Sequence, residues 1–539
     1  MKKIGTTILT CALLSGMISC NESDFLDLNN PNNATTEDFW KSEKDAVAAM
    51  ATVYSPIRGQ MYGYWGGFTG FQNMNVRADD TWALVDDPET WKITTFVNTP
   101  TSDRTDFDKM YKSIHRANVF LANVDKVPME DAKKAEMIGE AKFLRAFNYF
   151  LLVTNYGEVP LRIQVVEGSE DAALASSPEA DIWKQIEADL TDAMNVLPIA
   201  RPEKEKGRAE KGAAVAYLGK AYIYQKKYAE AEQLLATLMT TPYTYGLMDQ
   251  YEHNFTPEFE LNKESIFELC YAKFGSGSWG QEGVNDTQGV IIPQMIGTPL
   301  TGGWFKLMPT TAIVDEFMIE ERPDGSDSKF DKRMYTSFFF KYSDFGDVKE
   351  DAKWYGGRYD MDQLWESTKG KRETGGAPDF TKFGGEKGRF LIKKFTSFYM
   401  DNKNGDSMYE TTPIDNNLRV MRYAEVLLMY AEAATQNGNL AGANNALAQI
   451  RERAGLEAKT FASKDELIAE IIHQNMLEFY FEGHRFFDLK RWYNYEGMKA
   501  VLSKSKKQGV DNFEPKHFVY PIPQGELNTN TAIKQNPLW

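Results

Sequence analysis

The chain has 539 residues, 42% hydrophobic and 13% aromatic, enough to bury a large core and to build more than one lobe. A formal net charge of -16 excludes a general nucleic-acid surface, which needs clustered Lys and Arg. With only three cysteines, stability has to come from packing rather than from a disulfide framework.

The chain opens on Lys2 and Lys3, followed by an uncharged apolar run from Ile4 to Ile18 and then Ser19-Cys20. A positive start, a short apolar stretch and a small residue before the cut predict a secretory signal over residues 1–19, too short to span a bilayer. Met17-Ile18-Ser19-Cys20 resembles a bacterial lipobox, which makes Cys20 the expected lipid anchor. Cys11 lies inside the leader, and Cys270 reads as a small core residue.

Helical periodicity then dominates to about Pro242. Thr36-Glu37-Asp38 gives a polar cap and early acids, ahead of apolar Ala46, Met50, Val53 and Tyr54. Met110 to Val127 and Ala132 to Tyr156 predict an antiparallel helix pair ended by Gly157 and Pro160, and Asp181 to Leu197 predicts a helix stopped by Pro198. Ala213 to Thr240 and Glu425 to Glu452 superpose at a constant offset. Gly219 meets Ala431, Ala221 meets Ala433, Ala231 meets Ala443 and Leu235 meets Leu447. Small residues at matched positions let two short helices approach closely, and the spacing fits a tetratricopeptide unit of about 34 residues. From Thr244 to Asn416 the periodicity fades, Gly, Ser, Trp and Tyr become frequent, and short strand-like runs such as Arg389 to Phe395 appear.

The expected fold is therefore mostly α: a discontinuous solenoid of tetratricopeptide-like helical pairs carrying a loop-rich lobe with short strands. The expected division is a signal peptide at 1–19, an N-terminal helical region at 20–242, an insertion lobe contributing to a ligand site at 243–416, and a C-terminal helical region at 417–539.

Several segments together resemble the SusD/RagB family. They are Asp24-Phe25-Leu26-Asp27 with Ala34 to Trp40; Glu140-Ala141-Lys142-Phe143-Leu144-Arg145-Ala146 through Tyr156-Gly157-Glu158-Val159-Pro160-Leu161; and Arg422-Tyr423-Ala424-Glu425 through Ala433. Ile450-Arg451-Glu452-Arg453-Ala454-Gly455-Leu456, Glu482-Gly483-His484-Arg485-Phe486-Phe487-Asp488-Leu489-Lys490-Arg491-Trp492, and Tyr520-Pro521-Ile522-Pro523 through Gln535-Asn536-Pro537 complete the order. The resemblance implies a lipoprotein on the outer face of the outer membrane, with Glu22 and Asp24 as part of the surface signal. It implies glycan binding without cleavage, and a SusC-like TonB-dependent transporter as partner. The shared motifs are structural, so Arg422, Glu425, Arg451 and Arg485 are expected as ion-pair and helix-end partners.

No catalytic or cofactor motif is present. His115, His253, His473, His484 and His517 share no metal-ligand spacing, and there is no H-E-x-x-H or G-x-S-x-G. Acid pairs such as Asp79-Asp80 and Asp86-Asp87 raise the alternative of a surface glycoside hydrolase, but that chemistry needs carboxylates about 5–9.5 Å apart across a cleft, which adjacent residues with divergent side chains seldom provide. Asp324-Gly325-Ser326-Asp327 with Asp331 lacks the full EF-hand pattern and reads as a solvated turn. A second alternative, a helical scaffold for peptide or protein partners, explains the repeats but not the anchor or the Trp-rich loops.

A glycan site needs flat aromatic platforms for sugar faces and charged partners for hydroxyls. Two loop regions hold that mixture: Trp65, Arg77, Asp79, Trp82 and Trp91 in the first, Trp279 and Trp304 in the second. They are expected to converge on one face, with Trp82, Trp279 and Trp304 as platforms and Arg77 and Asp79 as polar contacts.

Overall fold

The computed structural model describes residues 39–58, 65, 70–102, 106–166, 168, 172–272, 289–380, 388–401, 409–410 and 415–539. The leader, Cys20, the helix start at Thr36 and Trp279 lie outside the described residues.

The first four long helices are α1 (Glu43–Arg58), α2 (Phe107–Asn123), α3 (Asp131–Tyr156) and α4 (Glu179–Val196). Each packs on the next in chain order. In α1 the buried stripe is Ala46, Met50, Val53 and Ile57, the i, i+4, i+7 pattern of a helix with one face in a core. The second half of α3 is buried all round, from Phe143 to Tyr156, because other elements cover it on every side. Phe143 and Phe147 meet Tyr217 and Phe267 edge-on, with ring centroids 5.0–5.9 Å apart. Arg145 reaches from α3 to Asp189 on α4 in a two-pronged pair at 2.8 Å on both arms. The helix stops at Gly157, whose φ of +73° is a conformation few other residues take.

The two repeat units are α5 (Lys211–Tyr224) with α6 (Tyr228–Thr237), and, far along the chain, α8 (Tyr423–Gln436) with α9 (Leu440–Arg453). In space α6 packs directly on α8, so the solenoid continues across the intervening chain. Gly219 of α5 lies under Leu235 of α6, where a Cβ would come within 2.5 Å of the leucine side chain. α9 and α8 then pack on α10 (Lys464–Glu478), whose start is a full capping box of Ser463 with Glu466. The short α11 (Arg485–Trp492) and α12 (Tyr495–Lys504) follow.

Among the described residues the strands form three two-stranded antiparallel ribbons, one of which ties the chain between the repeat units to the N-terminal region. β1 (Thr81–Ala83) pairs with β3 (Leu307–Pro309), β2 (Ser265–Leu269) with β6 (Leu418–Arg422), and β4 (Phe338–Phe339) with β5 (Leu391–Ile392). Helix α7 (Thr311–Met318) continues from β3. Cys270, just past β2, is half-buried rather than enclosed, with its Sγ facing Gly207.

A buried ionic network clamps this inserted chain to the C-terminal helices. Arg422 donates to Glu482 at 2.9 and 2.8 Å, to Glu264 at 2.8 Å and to Glu478 at 2.5 Å. Arg453 pairs with Glu264 and Glu478, Arg333 with Asp331 and Glu478, and Lys394 with Glu482. Four acids face four bases, so the cluster carries its burial without a surplus charge. Burial alone would raise the pKa of Glu478; Arg453, Arg422 and Arg333 instead hold its carboxyl well below the usual range.

Candidate glycan-binding cleft

The site is built where β1 meets β3. Along β1, Thr81 and Ala83 point into the core, so the alternation of a strand turns Trp82 to the other face. Its indole Nε1 donates to the Gly376 carbonyl at 2.8 Å, which fixes the ring half-buried at the edge of a cleft of about 530 Å³. After β3, Thr310 caps α7 by accepting from the Ile313 amide and donates its hydroxyl to the Asp79 carbonyl at 2.6 Å. That cap lines up Thr311, Ala312, Asp315 and Glu316 along one wall. The end of α12 adds Val501, Lys504, Ser505 and Lys506 to the lining, and Pro378 and Asp379 also line the cleft.

The floor is charged. Arg485, at the start of α11, donates to both oxygens of Asp79 at 2.9 and 3.1 Å, a planar fork on a carboxylate. Asp80 lies beneath, and burial, reinforced by the neighbouring Asp79, pushes its pKa up to about 7. Burial also brings the Lys507 ammonium down to about 7; it donates to the Val76 carbonyl at 2.6 Å and to Thr94 Oγ1 at 2.8 Å. Among the described residues, Asp80 Oδ1 and Arg485 Nη1 are buried without a hydrogen-bond partner. Arg485 lines the cleft, so its Nη1 is an unused donor there; Asp80 does not line it.

The structure brings Trp82 and Asp79 together in the cleft. Trp304 does not line the cleft; its amide donates to the Gln294 carbonyl at 2.6 Å and its carbonyl accepts from Lys371. The short helix Lys369–Thr374 and its exit therefore touch both rings' supports, through Lys371 and Gly376. The other expected residues stand elsewhere. Arg77 is not a polar contact of the cleft: it is buried, its guanidinium lies between the Phe486 ring at 3.7 Å and the Tyr520 ring at 4.1 Å, and it donates to the His517 carbonyl. Trp65 is buried at 8% exposure beside Phe150, Tyr217 and Phe487. Trp91 is half-buried on the short helix Pro88–Thr94 and does not line the cleft. Asp79 reaches the cleft but is taken up by Arg485.

Sequence reasoning missed Asp315, Glu316, Asp379, Lys504 and Lys506. The one usable signal was the run Ser503-Lys504-Ser505-Lys506-Lys507, a local excess of bases in an acidic chain. The Asp324–Asp331 turn is engaged otherwise: Asp327 pairs with Arg322 and Asp331 with Arg333. Among the described residues no group of three or more His, Cys, Asp or Glu is placed to hold a metal.

The model described as "SusD family" matches residues 263–539, and one described as "Starch-binding associating with outer membrane" matches residues 24–223. The chain belongs to the SusD family, whose members are carbohydrate-binding proteins and not hydrolases. It is similar to the starch-binding protein SusD of Bacteroides thetaiotaomicron, 23% identical over 99% of this chain and 98% of that one. It is also similar to a SusD-like protein of Formosa agariphila, P25, 23% identical over 99% and 98%. Among solved structures, a SusD superfamily protein from Bacteroides vulgatus superposes with a TM-score of 0.77 at 29% identity, covering 93% of this chain and all (100%) of that one. A laminarin-binding SusD-like protein gives 0.72 at 26%, with 93% and 100% covered.

Proposed function

We propose that this chain is a lipoprotein of the outer cell surface, anchored through Cys20, that binds a glycan at the Trp82 cleft and delivers it to a SusC-like TonB-dependent transporter. The observation that carries the reading is the cleft itself: an aromatic ring held at its edge by a hydrogen bond, with a charged lining and an unused guanidinium donor, on the scaffold of a carbohydrate-binding family. Starch and laminarin binding in similar proteins supports a glycan as the ligand. The family description of association with the outer membrane, together with the lipobox-like Met17 to Cys20, supports the location and the anchor. The transporter follows from the family resemblance, since a surface binder without a channel delivers nothing.

Covering one sugar face of about 50 Å² contributes on the order of 1.3 kcal/mol. Even millimolar affinity needs about 4 kcal/mol, so two or three platforms with polar partners have to act together. Trp82 and Trp304 are assigned as two of them and Trp279 as a third. Trp82→Ala and Trp304→Ala are each expected to weaken binding at least tenfold while the thermal midpoint moves by only a few degrees, because both rings are half-buried. Titration calorimetry beside thermal melts checks this. Normal binding in both variants, or loss of stability in step with binding, contradicts the assignment.

A further inference from the structure

The charges lining the cleft are not matched evenly. Of its four carboxylates, Asp79 is forked by Arg485, Glu316 lies 3.3 Å from His473 Nε2, and Asp315 and Asp379 have interactions of their own. Lys504 and Lys506, which also line the cleft, are exposed, and among the described residues neither meets a carboxylate. Lys504 closes α12, where a cation favours the helix dipole. That reason does not extend to Lys506, which lies past the helix end with φ +54° and projects from a strained turn. Beneath them Arg485 Nη1 has no acceptor. The lining therefore offers two exposed ammonium groups with no carboxylate partner and one unused guanidinium donor, within a chain whose net charge is -16.

We infer that the glycan taken by this cleft is acidic: it carries a uronate carboxylate or a sulfate ester that lies between Lys504 and Lys506 while a neighbouring ring covers Trp82. The inference rests on the glycan-binding reading above and narrows it. A neutral sugar leaves both ammonium groups as it found them, whereas an anion gains charge-assisted hydrogen bonds from each. The overall negative charge sets a limit at the same time. Repulsion acts within a Debye length of about 8 Å, so acidic residues that near to the bound glycan disfavour a dense polyanion, and the ligand with the best fit has anionic groups spaced among neutral sugars.

The test uses the purified lipid-free chain and panels of acidic and neutral oligosaccharides, among them trigalacturonate, a sulfated carrageenan tetrasaccharide and laminarihexaose. The first two separate carboxylate from sulfate. At least one acidic glycan is expected to bind ten times more tightly than any neutral one, and to weaken as salt rises. The double variant Lys504→Gln with Lys506→Gln is expected to lose about tenfold in affinity for it and most of its salt dependence, with an unchanged thermal midpoint because both side chains are exposed. A neutral glycan bound as tightly as every acidic one, or an acidic one indifferent to the double variant, overturns the inference. If that neutral binding is still lost in Trp82→Ala, the cleft reading stands and only its charge preference falls; if the chain retains no member of either panel, the glycan-binding reading falls with it.

Discussion

Arg422→Ala is expected to destabilise the chain by about 3–5 kcal/mol, enough to leave much of it unfolded at growth temperature. The guanidinium is one of the largest fully buried side chains of the protein and makes five contacts, to Glu264, Glu478, Glu482 and the Glu478 carbonyl. Removing it leaves three carboxylates in the core with one cation fewer, and the loss comes from those stranded charges as much as from the missing bonds. Because Glu264 belongs to the inserted chain and Glu478 ends α10, the damage is expected to separate the lobe from the C-terminal helices. Urea unfolding followed by fluorescence reads the effect. A variant within 1 kcal/mol of the parent, on the order of a surface substitution, contradicts the role given to the network.

Cys20→Ala is expected to move the protein completely from the membrane fraction to the soluble one. No described helix is long and apolar enough to cross a membrane, and on the proposed lipoprotein reading retention depends on acyl chains at that cysteine. Each buried CH₂ contributes about 0.8 kcal/mol, and several chains make the anchor effectively permanent. Fractionation in a strain without the partner transporter is the measurement. A variant that remains membrane-bound there contradicts the lipoprotein reading.

The helices were legible because their faces are periodic and their ends are marked. Helix α3 ends at Tyr156, ahead of Gly157, and α4 runs to Val196, two residues before Pro198, as those breakers require. The repeat was legible for a similar reason: small residues such as Gly219 can be matched along a sequence before their contacts are known. The motif charges are ion-paired, as expected, although Arg485 also lines the cleft. Glu425 pairs with Lys220 at 2.7 Å, Arg451 with Glu320 and Glu470, and Arg485 with Asp79.

The cleft was much less legible. Asp79 and its partner Arg485 are 406 residues apart, and the walls come from the ends of α7 and α12, which no local pattern relates. The ribbons that bring these parts together are two to five residues long, too short to show an alternation in sequence. Arg77 and Trp82 illustrate the difficulty. They are close neighbours in the chain, yet Arg77 follows a helix buried on all sides and turns inward, while Trp82 sits on the outward register of a strand. Composition marks both as candidates; only the change from helix to strand decides between them.

The central claim is that the chain captures a glycan and leaves it intact. The most direct measurement is a single incubation of the purified lipid-free protein with acidic and neutral glycan panels, reading retained ligand and released products together. Saturable retention of at least one glycan is expected, abolished in the combined Trp82→Ala and Trp304→Ala variant, with no change in the chain length of any oligosaccharide. Shortened products, or no retention across both panels, would contradict it.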